Sequence, residues 1–181
     1  AFLALMLVIS VSVRDSFGIE EYITINRLHD LAKLVFAFSL LWAYMGYSQY
    51  LVIWYADMPE ETPYLVIRSM EQPWALMFLL IIIAVFAIPF LGLLPKTFCR
   101  IPNYIRAMGI WVVISQWFVI YLMVVPSLQD FGHYHVDMGL HELLITLGFV
   151  GIFFLSYLTF LGKVPILPIS DKHLCQSWHG H

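Results

Sequence analysis

The densest group of titratable side chains in the sequence is HYHVDMGLHE, residues 133–142. Three histidines and two carboxylates in ten positions would suggest a metal site in a soluble enzyme. Imidazoles titrate near neutral pH, so such a group could also accept and relay protons. Because a long apolar stretch follows directly, this chemistry would take place at a membrane surface. The residues are His133, His135, Asp137, His141 and Glu142.

Two interpretations of this segment stay open, and a metal site is not one of them. No cysteine and no second ligand cluster accompanies the histidines, which argues against a bound metal. Asp137 could cap the last helix near its N-terminus, and Glu142 would face the positive end of that helix dipole. Histidines at an interface also bind neighbouring subunits or lipid head groups. Capping with subunit contact is therefore one hypothesis, and proton relay is the other.

The composition is that of a membrane protein. Of the 181 residues 61% are hydrophobic and 12% charged, with a mean hydropathy of +0.84, whereas about 25% of a typical soluble domain is charged. Four uncharged apolar stretches are each long enough for a helix to cross about 30 Å of hydrocarbon. They are residues 34–56, 74–94, 107–126 and 143–162.

The sequence therefore predicts an all-α fold, a polytopic transmembrane helical bundle with four complete spans and one truncated span at the N-terminus. Residues 1–13 are apolar, but at about 1.5 Å per residue they cover only about 20 Å. We expect the chain to be the carboxy-terminal half of a larger integral-membrane subunit. The expected spans are residues 1–13 in part, 31–56, 74–94, 104–126 and 141–162, with a C-terminal tail at 163–181.

The distribution of Lys and Arg predicts the orientation in the membrane. Loops rich in these residues face the cytoplasm, and the counts alternate along the chain, so that the C-terminal tail is expected to be cytoplasmic. The counts are three in 14–33, one in 57–73, three in 95–106, none in 127–142 and two in the tail.

Several residues predict how the spans pack and where they meet the membrane surfaces. Small residues on the second span should let another helix approach closely. Pro89 should kink the third span, because its ring displaces a backbone carbonyl. Aromatic residues are expected at the two interfaces: Trp54, Tyr55 and Trp74 at the outer one, and Tyr104 and Trp111 towards the inner one.

Polar side chains also occur inside the second and fourth spans, where hydrocarbon offers no hydrogen-bond partner. One interpretation is hydrogen bonding between helices, worth about 0.6 kcal/mol per contact. The other is a polar track for protons or for a quinone head group. The residues are Tyr44, Tyr47, Ser48, Gln49 and Tyr50 in the second span and Gln116 and Tyr121 in the fourth.

The sequence predicts no redox centre in this chain. Cys99 and Cys175 are too few for an iron–sulfur cluster, and there is no CxxCH motif for a c-type haem. A b-type haem needs two axial histidines at matching depth, but His29 and His133 are expected at opposite membrane surfaces. The net charge of −3 argues against a nucleic-acid partner.

The stretch HDLAKLVFAFSLLWAYMGYSQYLVIWYADMPEETPY, residues 29–64, resembles the ActF-type integral-membrane subunit of bacterial alternative complex III, which is related to ActC and NrfD-like subunits. A weaker similarity continues over residues 93–128. The family often has a carboxylate near Val119, and its absence here puts a continuous buried carboxylate relay in doubt. The matching residues are His29, Asp30, Leu31, Trp42, Ala43, Tyr44, Ser48, Gln49, Tyr50, Ile53, Trp54, Tyr55, Pro59, Glu60 and Glu61.

This resemblance implies a subunit of a quinol:cytochrome c, or other periplasmic acceptor, oxidoreductase in the bacterial cytoplasmic (inner) membrane. Quinol would be the substrate of the complex, and haem c and iron–sulfur clusters would lie on partner subunits. The expected partners are an ActC-like membrane subunit, an iron–sulfur subunit, c-type cytochromes and the lipid bilayer. The chain itself would bind no cofactor and would anchor the complex, and the ActC-like subunit would be the better candidate for the quinol pocket.

A proton path is the chemical role that the resemblance implies for the polar residues. His29, Asp30 and Lys33 would form its inner mouth, and the group at 133–142 its outer exit. The candidates between them are Tyr44, Ser48, Gln49, Gln116 and Tyr121. Two alternative functions are half of a secondary transporter, which would require broken spans, and a purely structural anchor for extrinsic subunits.

Overall fold

The computed structural model describes residues 1–20, 22–95, 97–127 and 139–163. The chain divides into two compact units, Ala1–Val136 and Asp137–His181, and each is described by itself. Across the described ranges the regular structure is helical, without strands. Among the predicted site residues His133, His135 and Asp137 lie outside these ranges.

The described residues of the first unit form six α-helices, and those of the second form one. A π-helical turn, Ile83–Ala87, joins the fourth helix to the fifth, so that residues 74–93 form one continuous helix. Short 3-10 turns lie at Phe98–Arg100 and Val125–Ser127. The α-helices are α1 (Phe2–Phe17), α2 (Ile25–Ala56), α3 (Thr62–Ser69), α4 (Trp74–Ile82), α5 (Ile88–Leu93), α6 (Pro102–Val124) and α7 (Leu140–Leu161).

In the part of the chain that the structure describes, four helical segments are long and apolar enough to cross a membrane, which confirms the prediction of an all-α, multi-pass fold. By contrast, α1 has 16 residues and covers about 24 Å, less than a full crossing. The second span begins at Ile25 rather than at 31, because the helix continues beyond its apolar part into a polar turn. The four segments are Ile25–Ala56, Trp74–Leu93, Pro102–Ser127 and Leu140–Leu161.

The first unit has two ends that differ in their chemistry. At one end α2 and α6 finish, α4 begins and α3 lies between them; we call it the Arg68 end, because Arg68 bonds to the last carbonyls of α6. At the other, the Arg106 end, α2 and α6 begin, and Arg106 pairs with Asp15 near the end of α1. The three spans of this unit therefore alternate in direction, as expected. Which end faces the cytoplasm stays a prediction.

The core at the Arg106 end packs α1 tightly against α2 and α6. Gly109 allows the close approach of α1, because a Cβ at this position would lie 2.7 Å from Cγ2 of Val8 and 3.2 Å from the carbonyl oxygen of Ala4. The buried residues of this core are Ala4, Leu7, Val11, Leu28, Ala32, Val35, Leu93, Cys99, Ile105 and Val112.

A second core at the Arg68 end is built around Trp74. This side chain is completely buried and its ring lies 6.3 Å from that of Tyr121. The ring therefore packs inside the unit and does not face lipid, while its depth at the outer interface stays a prediction. Trp54 and Tyr55, in contrast, are mostly exposed, as belt residues would be. The buried members of this core are Trp74, Ile81, Val85, Val119, Tyr121 and Leu122.

The disturbance expected at Pro89 takes the form of the π turn. The N–H of Ile88 donates to Ile83, five residues earlier, and Pro89 has no N–H to offer. The carbonyl of Ala84 consequently lacks its usual donors within the helix. From α6, Trp111 Nε1–H donates to it at 2.9 Å and the Ser115 hydroxyl lies at 3.5 Å. Trp111 thus ties two helices together, which differs from its predicted role as an interfacial residue.

Candidate functional site: an aromatic cavity at the Arg68 end

Arg68 holds the C-terminal end of α6. The last carbonyls of a helix have no partner within that helix, and a cation is favourable there. The Arg68 guanidinium donates from Nε to Leu122 O at 2.9 Å and from Nη2 to Met123 O at 2.7 Å. It also donates to the Ser127 hydroxyl at 2.6 Å and to Tyr64 O at 2.8 Å. One side chain therefore joins α3 to the end of α6.

The charge of Arg68 is balanced without an acidic side chain. The residue is only 4% exposed, and burial lowers its pKa, although a guanidinium stays protonated in proteins. Its Cζ lies 3.6 Å from the centre of the Tyr64 ring, a cation–π distance. Over the described ranges no carboxylate lies within 4.0 Å of it. Carbonyl dipoles and one aromatic face therefore compensate the charge.

Beside Arg68 lies a cavity of about 350 Å³ between α2, α3, α6 and the helix that contains the π turn. This volume falls within the range of small-molecule sites. Its walls are largely aromatic and aliphatic, and Arg68 is the charged residue among them. Six aromatic side chains line it: Trp42, Tyr47, Tyr50, Tyr64, Phe78 and Phe86.

The cavity begins at the point along α2 where no other described helix packs against the small residues of this helix. Ala32 and Ser39 are buried, as the predicted close approach requires. Farther along the same helix Gly46 lines the cavity, and a Cβ added there would meet no atom within 4 Å. Close helix packing is therefore present in the first part of α2, whereas no described helix approaches Gly46.

Three polar side chains line the cavity from α2: Tyr47, Gln49 and Tyr50. Within the described part of the chain neither phenol nor the amide forms a hydrogen bond. Ser48 differs, because its hydroxyl donates to the carbonyl of Tyr44 at 2.8 Å. The described helices of this chain thus supply no hydrogen-bond partner to the three cavity groups, and both interpretations of the polar residues stay predictions for them.

The polar residues of the fourth span lie elsewhere. Gln116 lines a second hollow, formed with α1 and the first part of α2. Tyr121 is buried, and its ring stacks on Trp117 at 5.6 Å. Trp42 belongs to the walls of both hollows. Of the predicted candidates for a proton track, Gln49 and Gln116 therefore line different hollows, Tyr121 lies in the core, and Tyr44 and Ser48 line neither hollow.

The predicted inner mouth lies at the Arg106 end, on the first turns of α2. Lys33 Nζ is 2.9 Å from Asp30 Oδ1, and His29 Nδ1 is 3.9 Å from the same oxygen. Tyr44 lies eleven positions after Lys33, about 16 Å along the helix, and none of the side chains between them is titratable. The three groups do lie together, while their role in proton entry stays a prediction.

At the other predicted mouth, the structure describes His141 and Glu142 in the first turn of α7. The helix N-cap is Gly139, and the predicted cap Asp137 lies outside the described ranges. Glu142 Oε2 is 2.9 Å from the point where a Cβ on Gly139 would stand. The carboxylate thus folds back over the N-cap, where the helix dipole favours negative charge.

No group of three His, Cys, Asp or Glu side chains that could hold a metal occurs in the described ranges. Cys99 is buried, its thiol donates to Leu93 O at 3.2 Å, and burial raises its pKa. Both observations describe an unreactive structural thiol. Cys175 lies outside the described residues.

Arg68 and Gly46 are the site residues that the sequence did not mark as functional. A signal for Arg68 was present, since it is a lone cation after the apolar residues 65–67. Pro63 in the first turn of α3 is a helix-start signal of the same kind. Nothing in the sequence shows that Gly46 faces open space.

No protein-family model matches the chain, and no curated protein matches it.

Proposed function

We propose that the chain is an integral-membrane subunit of a quinol:electron-acceptor oxidoreductase of the alternative complex III type. It would anchor partner subunits that carry the haem c and iron–sulfur centres, without carrying electrons itself. The four apolar helices support a multi-pass membrane protein. The finer assignment draws its support from the resemblance over residues 29–64 and from where those residues lie.

The main support for the proposal is that several residues on which the resemblance rests also line the cavity. Most of residues 29–64 form one helix, α2, and its second half supplies one wall of the cavity. A motif concerned only with anchoring would not need to supply polar groups to an aromatic cavity. Five of the residues on which the resemblance rests line this cavity: Trp42, Ala43, Gln49, Tyr50 and Ile53.

The π turn favours the subunit over half of a secondary transporter. Transporter spans unwind near the middle of the membrane so that free backbone groups can bind substrate or ions. Here residues 74–93 stay helical, and the carbonyl released at Ala84 is bound by Trp111. The backbone group that could have bound an ion is therefore already occupied.

Purification of the tagged chain from its native membranes in a mild detergent tests the proposal. We expect subunits with covalently bound haem c to co-purify, together with iron–sulfur signals by electron paramagnetic resonance and quinol:acceptor reductase activity. The same chain, separated from its partners, should show no haem absorbance. Solute uptake by vesicles that contain the chain alone, or purification without haem-bearing partners, would contradict the assignment.

A second experiment tests the proton path within the proposed complex. His29→Ala and Asp30→Asn should lower the number of protons translocated per quinol, while electron transfer to the acceptor continues. Asp15→Asn is the matched control, because it removes a carboxylate from the same end of the unit but not from α2. Unchanged proton stoichiometry in all three variants would leave the anchoring role alone.

A further inference from the structure

We propose that the cavity at the Arg68 end binds the uncharged ring of a quinone-class lipid, held by Gln49, Tyr47 and Tyr50 of α2. The choice of a quinone among ring-bearing lipids rests on the proposed function. The site itself follows from the geometry of the cavity. The proposal concerns binding only and assigns no electron transfer to this chain.

The shape and material of the cavity suit a flat ring. About 350 Å³ of space is bounded by aromatic side chains on three sides: Trp42 from α2, Tyr64 from α3 and Phe86 from the π turn. Aromatic faces prefer offset-stacked or edge contacts with another ring. A π turn commonly marks a functional position in a helix, and this one supplies Phe86 to the wall. A flexible acyl chain would need none of this aromatic surface.

The polar groups of α2 supply the hydrogen bonds that a quinone ring needs. An amide offers two donors, and each phenol offers one. All three side chains are exposed in the first unit, so that the cavity is open to a ligand on this side. At membrane depth water is not available to satisfy them, and an unpaired polar group there is costly. Within the described chain, the amide of Gln49 and the hydroxyls of Tyr47 and Tyr50 form no hydrogen bond. Ring carbonyl or hydroxyl oxygens in the cavity would satisfy these groups.

The charge around the cavity favours an uncharged ligand over a phosphate head group. Arg68 is the charged residue in its lining. Four hydrogen bonds already engage its guanidinium, which has five N–H donors in all. The bidentate pairing that a phosphate normally makes with arginine is therefore blocked.

Photolabelling of the intact complex in native membranes tests the proposal. The probe is a short-chain azidoquinone, and labelled peptides of this chain are identified by mass spectrometry. We expect label on α2 between Trp42 and Ile53. Gly46→Phe should abolish it, because the new ring would fill the open space beside α2. Gly148→Phe is the matched control, since that glycine of α7 also has no atom within 4 Å of an added Cβ, and it should label normally.

A second variant keeps the test decisive if Gly46→Phe prevents assembly. Gln49→Leu preserves the size of the side chain and removes its two donors, so that labelling affinity should fall about tenfold. Equal labelling of the native complex and of Gln49→Leu would overturn the proposal. So would label confined to other segments, or labelling of the cavity by a photoreactive phospholipid and not by the azidoquinone.

The outcomes separate this proposal from the proposed function. An assembled complex with haem-bearing partners but no label in the cavity would overturn the quinone site alone. Label in the cavity of a chain that purifies without haem-bearing partners would overturn the proposed function alone.

Discussion

At the Arg106 end of the first unit cations lie beside carboxylates, whereas at the Arg68 end a buried cation lies among backbone carbonyls. A surface ion pair loses little when one partner goes, because water replaces it. Helix carbonyls buried around Arg68 have no such replacement. Among the described residues the exposed ion pairs of the Arg106 end are Lys33–Asp30 at 2.9 Å and Arg106–Asp15 at 3.2 Å. Arg14 is the exception, because it is buried and lies 3.7 Å from the exposed Glu20.

The two ends also differ in how closely their helices pack. Gly109 lies where two helices meet so closely that a Cβ would collide, while Gly46 faces open space. The Arg106 end therefore derives its order from close apolar packing. The Arg68 end also has an apolar core, around Trp74, but one multidentate side chain joins α3 to α6 there, and a cavity lies beside it. Both differences can be tested by substitution.

Loss of the Arg68 side chain should give the largest effect. Arg68→Met keeps the length of the side chain but leaves the carbonyls of Leu122 and Met123 without their donor. At about 1–3 kcal/mol per buried unsatisfied group, we expect the free energy of unfolding to fall by about 3 kcal/mol. Arg68→Lys should be intermediate, because an ammonium cannot reproduce the planar fork.

Thermal unfolding in detergent, followed by circular dichroism, measures this effect. Arg106→Met is the control, and it should lower the stability by less than about 1 kcal/mol. Equal losses for the two variants would show that the ends do not differ in the way that their contacts indicate.

The glycine pair should give the next largest effect. Gly109→Ala forces Val8 and the backbone of Ala4 to move, and overpacking of this kind costs about 1–3 kcal/mol. Gly46→Ala adds a methyl group in open space, and alanine is favoured over glycine in a helix by up to about 1 kcal/mol. The two substitutions should therefore shift the midpoint of thermal unfolding in opposite directions. A loss of stability at Gly46 would mean that its apparent space is filled.

The spans were predictable because uncharged runs of this length report on the bilayer and not on detailed packing. The residues at which the helices begin and end were less predictable. Helix α2 begins at Ile25 among polar residues, where hydrogen bonding to the preceding loop, and not hydropathy, determines its first residue. The short helix α3 escaped prediction, since eight residues give no clear period. Its role became visible only through Arg68, whose partners are more than 50 residues away in sequence.

The candidate site was predictable in its residue types but not in its arrangement. Gln49 stands out in any apolar helix, because an amide in hydrocarbon requires a partner. That Gln116 faces a different hollow depends on the rotation of α6 about its axis, which the sequence does not determine. A cavity is a place where packing atoms are missing, and the sequence gives no direct sign of it at Gly46.

The hydrogen bond from Trp111 to the carbonyl of Ala84 in the π turn should contribute about 1 kcal/mol to the free energy of unfolding, the usual net value of one hydrogen bond. Trp111→Phe removes the donor to Ala84 and keeps most of the ring. Pro89→Ala supplies an N–H close to the same carbonyl, so that the tryptophan becomes less necessary. In a double-mutant cycle the cost of Trp111→Phe should be smaller in the Pro89→Ala background. Equal costs in both backgrounds would show that Pro89 is not the reason why the carbonyl of Ala84 needs the hydrogen bond from Trp111.

The ion pair between Arg106 and Asp15 should give the smallest effect, and its salt dependence is the sharper measurement. Both side chains are more than a third exposed, so that solvent screens their attraction, and pairs of this kind contribute about 0.2–1 kcal/mol. The Debye length falls from about 10 Å at 0.1 M salt to about 3 Å at 1 M. The small destabilisation caused by Asp15→Asn should therefore disappear at 1 M salt, whereas that of Arg68→Met should persist, because bonds to buried carbonyls are shielded from ions. If high salt removed both losses equally, the contrast between the two ends would reduce to charge screening, and the capping of α6 by Arg68 would not explain its burial.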